Sequence, residues 1–523
     1  MSMRPTFMGF EASKSALFAS QKGLDIVGHN LANMSTEGYT RQRVDQVSVD
    51  TYAFKNRKAD SSKNHLGMGT DVNGVQQVRD ERMDTAFRNS YSDTSYYGRS
   101  SDMLSEIENI LSEIDPGVDG YGYGLSYGIK EMYNSLQVLS KNVNLEANAV
   151  IFADSVKNIC TVLNRTATTL SEAREAYKQD FKTEVDDVNS IMEDISSLNK
   201  RITDIISGAG YTEQYGPNEL LDKRNMLLDE LSAFGKVDVV HQDDGSVKVS
   251  LNGHECIKGE RYDTVILQEN GDNGIAVRWK SNSEDATAGN GILKAASEII
   301  NGRGVNASSD SDTTVRGFNY YMDKLDTFAE KLADVLNSTL PVKADAMGNP
   351  VSFDDNEGKY ISYKKLVGAT VNDGGFAYVN TDRKVTAANI AVSDDLARDA
   401  TYILTDKKSS DNQYFLNLIG KLTDEELDFT NGNEPFKGTF QDFITDFSAK
   451  IGGDVKFAQS KVEACEQYSD ELQNNRESIT GVSESEETVS MLTYNRAFQA
   501  AAKMMTTMDE LLDIIINQVG ALG

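Results

Sequence analysis

The sequence predicts a mainly α-helical protein of several domains (α+β, multidomain), with a smaller β-containing part and paired coiled-coil helices at its two ends. An amphipathic segment rich in small residues covers residues 7–33, and an apolar stripe of helical period covers residues 491–522. Between them, residues 170–206 and 455–480 keep the 3–4 spacing of bundle helices. A length of 523 residues exceeds what one core holds, so about three domains are expected.

Composition argues against two kinds of partner. The 81 Asp and Glu outnumber the 52 Lys and Arg, giving a formal charge of -29, whereas phosphate binding needs a basic surface. No apolar run reaches the roughly 18 residues of a membrane span. Glu11, Lys14, Lys22 and Asp25 interrupt any signal-peptide core. We therefore expect no nucleic-acid binding and no membrane insertion, and a chain that stays in the cytoplasm or leaves without a cleaved signal.

The residue chemistry gives no candidate for catalysis, for a metal site or for a cofactor. His254 and Cys256 form an H-x-C pair, but no second pair is spaced to complete a zinc site. Cys160 and Cys465 stand among apolar residues at helical spacing, which predicts buried structural thiols. With four histidines and neither a G-x-S-x-G nor an H-E-x-x-H motif, an enzyme is disfavoured.

The segment 7–33 predicts a helix that is stable only when packed, because each interior glycine costs about 1 kcal/mol relative to alanine. Its large apolar stripe consists of Phe10, Leu17, Leu24, Val27 and Leu31, completed by Ser13 and Ser20. Beside this stripe run Ala12, Ala16, Ala19, Gly23 and Ile26. Small side chains there would let another helix approach closely.

The C-terminal seam is the strongest periodic signal in the chain. Its residues, spaced three and four apart without a slip, are Met491, Tyr494, Phe498, Ala501, Met505, Met508, Leu512, Ile515, Val519 and Leu522. Such a stripe is typical of a core or partner-helix face. Its partner is left open: residues 7–33, copies of itself in neighbouring subunits, or a carrier. A charge of +3 over residues 1–58 and -4 over residues 481–523 favours pairing of the ends.

The middle of the chain predicts long helices and a strand-bearing part. A turn at Asp243-Asp244-Gly245 between apolar alternations predicts a hairpin. Asn199, inside an apolar seam, either fixes helix register or lies at its edge. The predicted domains are a terminal coiled-coil domain (1–50 with 485–523), a helical middle domain (51–235, 285–340 and 385–484) and a strand-rich outer domain (236–284 and 341–384).

Residues 30–42 carry a motif, Asn-Leu-Ala-Asn-x-x-Thr-x-Gly-Tyr-Thr-Arg-Gln, that resembles the axial proteins of the bacterial flagellum: rod, hook and hook-associated subunits. The matching residues are Asn30, Ala32, Asn33, Thr36, Gly38, Tyr39, Arg41 and Gln42. The C-terminal counterpart is residues 495–503, ahead of Met508-Asp-Glu-Leu-Leu-Asp. Gly38 permits a backbone angle that other residues resist, Asn33 and Thr36 can cap or turn, and Tyr39 can anchor the turn.

Within this family the chain is most similar to the hook-associated members, through Thr40-Arg41-Gln42 and residues 220–231, 324–338 and 388–392. The resemblance implies a structural subunit of an extracellular flagellum, exported through the flagellar type III channel. It would join hook to filament as the first junction layer, by co-packing of its terminal helices. The implied partners are like subunits, the hook protein, hook-associated protein 3 and an export chaperone on the C-terminal segment.

Three alternatives remain open from the residues. The first is a hook or distal-rod subunit, against which the long helical seams argue, because hook subunits of the family are dominated by strands. The second is a cell-wall hydrolase on flagellar termini, which would need paired carboxylates or a nucleophile and base in a cleft. The third is a surface adhesin with residues 341–410 exposed.

Overall fold

The computed structural model describes most of the chain. The described residues are 6–49, 69–111, 124–208, 217–269, 274–307, 313–342, 353–354, 359–360, 362–373, 376–404 and 412–518. Val519 and Leu522 of the C-terminal seam lie outside them.

Helices dominate the described residues, as predicted. They are α1 (Thr6–Asn33), α2 (Glu81–Leu111), α3 (Leu125–Lys141), α4 (Glu146–Ser207), α5 (Asn218–Phe234), α6 (Ile292–Asn301), α7 (Phe318–Asn337), α8 (Asp394–Arg398), α9 (Gln413–Leu422), α10 (Phe440–Thr480) and α11 (Glu484–Asp513). A π-helical turn, Ile514–Gln518, continues α11.

The strands are short and all their pairings are antiparallel. They are β1 (Gln42–Ser48), β2 (Thr70–Gln77), β3 (Val237–His241), β4 (Val247–Leu251), β5 (His254–Lys258), β6 (Arg261–Tyr262), β7 (Val265–Glu269), β8 (Ile275–Trp279), β9 (Phe353–Asp354), β10 (Lys359–Tyr360), β11 (Val367–Asp373), β12 (Phe376–Asn380) and β13 (Ile390–Val392). The sheet orders are β1-β2, β3-β4-β5-β6, β7-β8, β9-β10 and β12-β11-β13.

The chain forms two compact units, each built from separated stretches. Unit 1 contains Met1–Asp93, Val188–Thr264 and Cys465–Gly523, and unit 2 contains Thr94–Asp187 and Val265–Ala464. The finer division into terminal, middle and outer domains stays a prediction.

In unit 1, the β1-β2 pair lies against α1. Ile26 of α1 packs with Val44 and Val75, and all three side chains are buried. This cluster holds the start of β1 near the end of α1, so that residues 34–41 form a tight connection between them.

Asn199 attaches the end of α4 to the four-stranded sheet of unit 1. Its fully buried side chain donates to the carbonyl oxygens of Val247 and Gly259, at 3.1 and 3.0 Å. Its Oδ1 accepts from the Val247 amide and from Arg224. The reading that placed Asn199 at the edge of a seam is therefore wrong, and its bonds run to a strand and to α5.

Unit 2 has an aromatic core. Phe328, Phe429 and Phe440 are completely buried, and the ring of Phe440 meets the other two edge-on at 5.2 and 5.1 Å. Burial of each such ring contributes about 1.5–3 kcal/mol. Trp279, the only tryptophan of the sequence, is also buried in unit 2.

A cluster of charges lies beside this core. Glu434 accepts from Lys324 at 2.8 Å and from Lys450 at 2.7 Å, while the Tyr320 hydroxyl donates to it at 3.0 Å. Burial alone would raise the pKa of Glu434, but the two ammonium groups outweigh it and lower the pKa to about 2. The carboxylate therefore stays ionised and both cations keep a counter-charge.

Most elements predicted from periodicity are confirmed, including α1 and the β3-β4 hairpin. Residues 341–410 show no sustained period, yet they include β11, β12 and β13. Cys160 is buried as expected, but Cys465 is half-exposed on α10, so that part of the prediction is wrong.

Candidate assembly site

The two terminal helices pair in unit 1, in antiparallel orientation and constant register. Gly9 faces Met508, Gly23 faces Tyr494, and Asn30 bonds to Glu487. The step from Gly9 to Gly23 is about four turns along α1, and the step from Met508 to Tyr494 is the same length in the reverse direction.

The glycines of α1 permit this close approach. A Cβ at Gly23 would lie 2.6 Å from the Tyr494 ring, and one at Gly9 would lie 2.7 Å from the Met508 methyl group. By contrast, a Cβ at Gly28 would meet nothing within 4 Å. Large side chains on α11 therefore fill notches that only glycine leaves open.

Asn30, the first residue of the motif, is buried and uses both ends of its amide. Its Oδ1 accepts from the Tyr39 hydroxyl at 2.8 Å and from the Gln42 amide at 3.0 Å. Its Nδ2 donates to the Gln42 carbonyl at 3.0 Å and to Glu487 at 3.2 Å. One side chain thus joins the end of α1, the start of β1 and the start of α11.

Glu487 is the site residue that our sequence reasoning missed. Its side chain is 2% exposed, and it accepts from Arg41 Nε at 2.7 Å as well as from Asn30. Arg41 also bonds to the exposed Glu486 at 2.6 Å. The sequence signal that could have identified it is spacing. Glu487 lies four residues before Met491 and therefore occupies the next position of the apolar stripe towards the N-terminus of the helix.

Gly38 and Tyr39 shape the connection that follows α1. Gly38 has φ 74°, a region that favours glycine, and a Cβ there would lie 2.2 Å from the Met226 sulfur. His29 Nδ1 lies 2.9 Å from the Tyr39 hydroxyl. Burial and the nearby carboxylates of Asp222, Glu219 and Glu487 raise the pKa of Tyr39, in that order of effect. Tyr39 therefore remains a hydrogen-bond donor.

The rest of the motif closes the turn. The Asn33 carbonyl accepts from the Thr36 amide at 2.9 Å, and the Thr36 carbonyl accepts from the Tyr39 amide at 3.2 Å. Ala32 is exposed and Gln42 is buried. The Arg41 amide donates to the Thr480 carbonyl at 2.8 Å, which ties the turn to the end of α10.

One carboxylate and two guanidinium groups join three helices near this turn. Asp229 of α5 accepts from Arg88 of α2 at 2.7 Å and from Arg476 of α10 at 2.6 Å. The Arg476 guanidinium also stacks 4.0 Å above the Phe87 ring. Beside these groups and residues 34–41 opens a polar cleft of about 890 Å³.

The C-terminal seam faces α1 over part of its length. Ala501 is buried and Met491 is exposed; Tyr494, Phe498, Met505, Met508 and Leu512 are half-buried. Ile515 lies in the π-helical turn. A second apolar face beside the seam has 44–66% of each side chain exposed and consists of Val489, Leu492, Met504, Leu511 and Ile514.

Two absences hold for the described residues. No three His, Cys, Asp or Glu side chains among them are grouped as metal ligands. Within the same part of the chain, every helix falls short of the length and apolarity that crossing a bilayer requires.

Three family models match the chain. Residues 104–351 match the flagellar hook-associated protein FlgK helical domain. Residues 10–40 match the flagella basal body rod protein, and residues 473–518 match the flagellar basal body rod FlgEFG protein C-terminal region. The two rod-type matches contain most of α1 and all of α11, which are the helices that pair.

Curated relatives resemble the chain along its whole length. Flagellar hook-associated protein 1 of Bacillus subtilis is 27% identical, with all of both chains covered. Its Escherichia coli namesake is 22% identical over 96% of this chain and 98% of that one. The flagellar hook junction protein FlgK of Burkholderia pseudomallei has the same fold, with a TM-score of 0.55 and 12% identity, over 76% of this chain and 100% of that one.

Proposed function

We propose that this chain, which resembles flagellar hook-associated protein 1 from end to end, is a structural subunit of the bacterial flagellum, located where the hook meets the filament. The observation that carries the proposal is the end-to-end similarity to those relatives, which includes both terminal helices. Its role is mechanical and not catalytic.

Assembly proceeds by packing of like subunits through the terminal helix pair. Supporting this, α11 keeps a second apolar face exposed after α1 has covered part of its seam. Large apolar side chains left exposed along one side of a helix are typical of interaction sites in soluble proteins. Neighbouring subunits would cover it and gain about 25 cal/mol for each Å² removed from water.

The remaining proposed partners are the hook protein, hook-associated protein 3 and an export chaperone. The hook protein would lie below the layer and hook-associated protein 3 above it. Before export through the flagellar type III channel, a chaperone would cover the C-terminal segment. Substituting Leu511 by Asp should weaken co-purification with that chaperone, because a charge would replace exposed apolar surface.

The first test is a strain that lacks this chain, examined for motility, for hooks and for flagellin in the medium. Intact hooks without filaments, with flagellin lost to the medium, are expected. Loss of hooks as well would assign the chain to the rod or hook instead. Normal motility would overturn the flagellar role.

A second test separates assembly from folding. Leu492→Asp with Leu511→Asp, introduced into the same strain, should prevent incorporation while Trp279 fluorescence shows unit 2 still folded. Val240→Asp is the matched control, because Val240 is a comparably exposed apolar residue, at 57%, on β3 and not on α11. Normal incorporation of the double variant would exclude this face as the assembly surface.

A further inference from the structure

The helix pair α1–α11 repeats every seven residues, which creates a register problem. On α1 the repeating positions are Gly9, Ala16, Gly23 and Asn30; on α11 they are Met508, Ala501, Tyr494 and Glu487. A shift of seven residues displaces the helices by about 10.5 Å and again faces repeat against repeat. Apolar patterning alone therefore permits slipped pairings.

Shape disfavours the slip in one direction. If Ala16 took the place of Gly23 opposite Tyr494, its Cβ would lie about where a Cβ added at Gly23 would meet the ring, at 2.6 Å. The ring would have to move to admit the methyl group, so overpacking disfavours this slip.

Shape does not forbid the opposite slip. There Ala16 would face Met508, whose contact at the Gly9 notch is made by the end of a flexible side chain. Met508 can swing away, because its side chain has three rotatable bonds. Gly23 would then face Ala501, whose small side chain causes no clash. Because shape does not exclude this pairing, a polar interaction has to do so.

We propose that Glu487, held by Asn30 and Arg41, is the specificity residue that fixes the register of the terminal helices against this second slip. In the observed register the buried carboxylate accepts from both partners, at 3.2 and 2.7 Å. In the slipped register it would lose both, and Asn30 would face the Tyr494 ring. A buried polar group within an apolar seam is a well-attested way to specify register.

The inference deepens the proposed co-packing of the termini, and its test does not depend on the flagellar role. Two pairs of cysteines, in a Cys465→Ser background, report the register of the purified chain. Gly9→Cys with Met508→Cys should form a disulfide in the observed register. Ala16→Cys with Met508→Cys should do so only after the slip, since the two sites otherwise lie about two turns apart.

In the parent chain only the first pair should cross-link. With Asn30→Leu and Glu487→Leu added, an apolar pair replaces the polar one, and the ratio of slipped to observed cross-link should rise about tenfold. An unchanged ratio in this variant would overturn the proposal.

Two controls sharpen the result. Glu486→Leu removes the exposed carboxylate bound to the same guanidinium and should leave the ratio unchanged. Glu487→Gln keeps the shape and one acceptor oxygen, so it should raise the slipped product less than Leu does; an equal rise would contradict the role of the hydrogen bonds. Absence of a motility defect in the deletion strain would refute the flagellar role without altering the ratio.

Discussion

The aromatic core of unit 2 and the terminal helix pair of unit 1 are built on opposite plans. In unit 2, Phe328, Phe429 and Phe440 are fully buried, and Lys324, itself 2% exposed, keeps its counter-charge at Glu434. In the terminal pair most seam residues are half-buried, and a second apolar face remains open to solvent.

This difference suits the two regions to different roles: the core of unit 2 stabilises the fold, and the terminal helix pair offers surface for assembly. A closed core gains its full burial within one chain and needs no partner. The terminal pair reaches a defined geometry through glycine notches and Glu487, yet leaves apolar surface for other molecules.

The largest effect is expected in the closed core. Phe440→Ala removes the ring that touches Phe328 and Phe429, which should cost about 3–5 kcal/mol of unfolding free energy. Urea unfolding, monitored by the fluorescence of Trp279, measures this loss in unit 2. Leu416→Ala, on an exposed side chain of α9, is the control and should cost under about 1 kcal/mol. Equal loss of amide protection in α1 and α11 would contradict the independence of the two regions.

Gly38→Val should disturb the terminal pair and spare the core. A β-branched residue resists φ 74°, and its Cβ would meet the Met226 sulfur, so we expect a loss of about 2–3 kcal/mol. Hydrogen exchange of the α1 amides measures this loss of stability in the terminal pair. Gly38→Ala with Met226→Ala relieves the contact but not the backbone strain, and should recover only part of the loss. Full recovery would show that the backbone angle is unimportant.

Acid should weaken unit 2 through Glu434. Its folded pKa, about 2, lies below the ordinary value of 4.5, so the stabilisation is present above about pH 4.5 and is lost as pH falls towards 2. Allowing for partial solvent screening, ionised Glu434 contributes about 2 kcal/mol to the free energy of unfolding. Trp279 fluorescence against urea, repeated across this pH range, measures the slope. Glu434→Gln should be less stable at pH 7 and show a shallower slope; an identical slope would exclude this carboxylate as the cause.

The smallest effect compares two glycines of α1. Gly28→Ala should stabilise the helix by up to about 1 kcal/mol, because nothing lies near the added methyl group. Gly23→Ala gains the same propensity but overpacks against Tyr494, so a net loss of about 1 kcal/mol is expected. Exchange rates of α1 amides separate the two variants. Equal stabilisation of α1 by both variants would show that the contact with Tyr494 does not require glycine at position 23.

Periodicity predicted much of the fold, because long amphipathic helices repeat their signal many times. The hairpin β3-β4 was equally accessible, since its turn residues and alternation are local. The sheet β12-β11-β13 was predicted less well. Residues 341–384, which contain β11 and β12, were assigned to the strand-rich part only as a whole, and β13 pairs with β11 from outside that range, with Val392 opposite Val367.

The site was predicted only in part. The motif located the turn, but Glu487 is a charged residue, which hydropathy assigns to the surface. Its burial depends on Asn30 and Arg41, which lie 457 and 446 residues away along the chain. The small-residue face of α1 was predicted to admit another helix, and Gly23 of that face does meet Tyr494. Which side chains fill the glycine positions could not be predicted, because the notches exist only once α11 is present.

The hydrogen bond from Asn30 to Glu487 also sets an order of events. Contacts so distant along a chain close late during folding, since a long loop must be ordered before they form. While the chain is made from its N-terminus, α1 has no partner until nearly all of it has been synthesised. All of unit 2, which ends at Ala464, has by then been synthesised. Closure of the helix pair therefore has to wait for the last helix to be made, whereas the contacts within unit 2 do not.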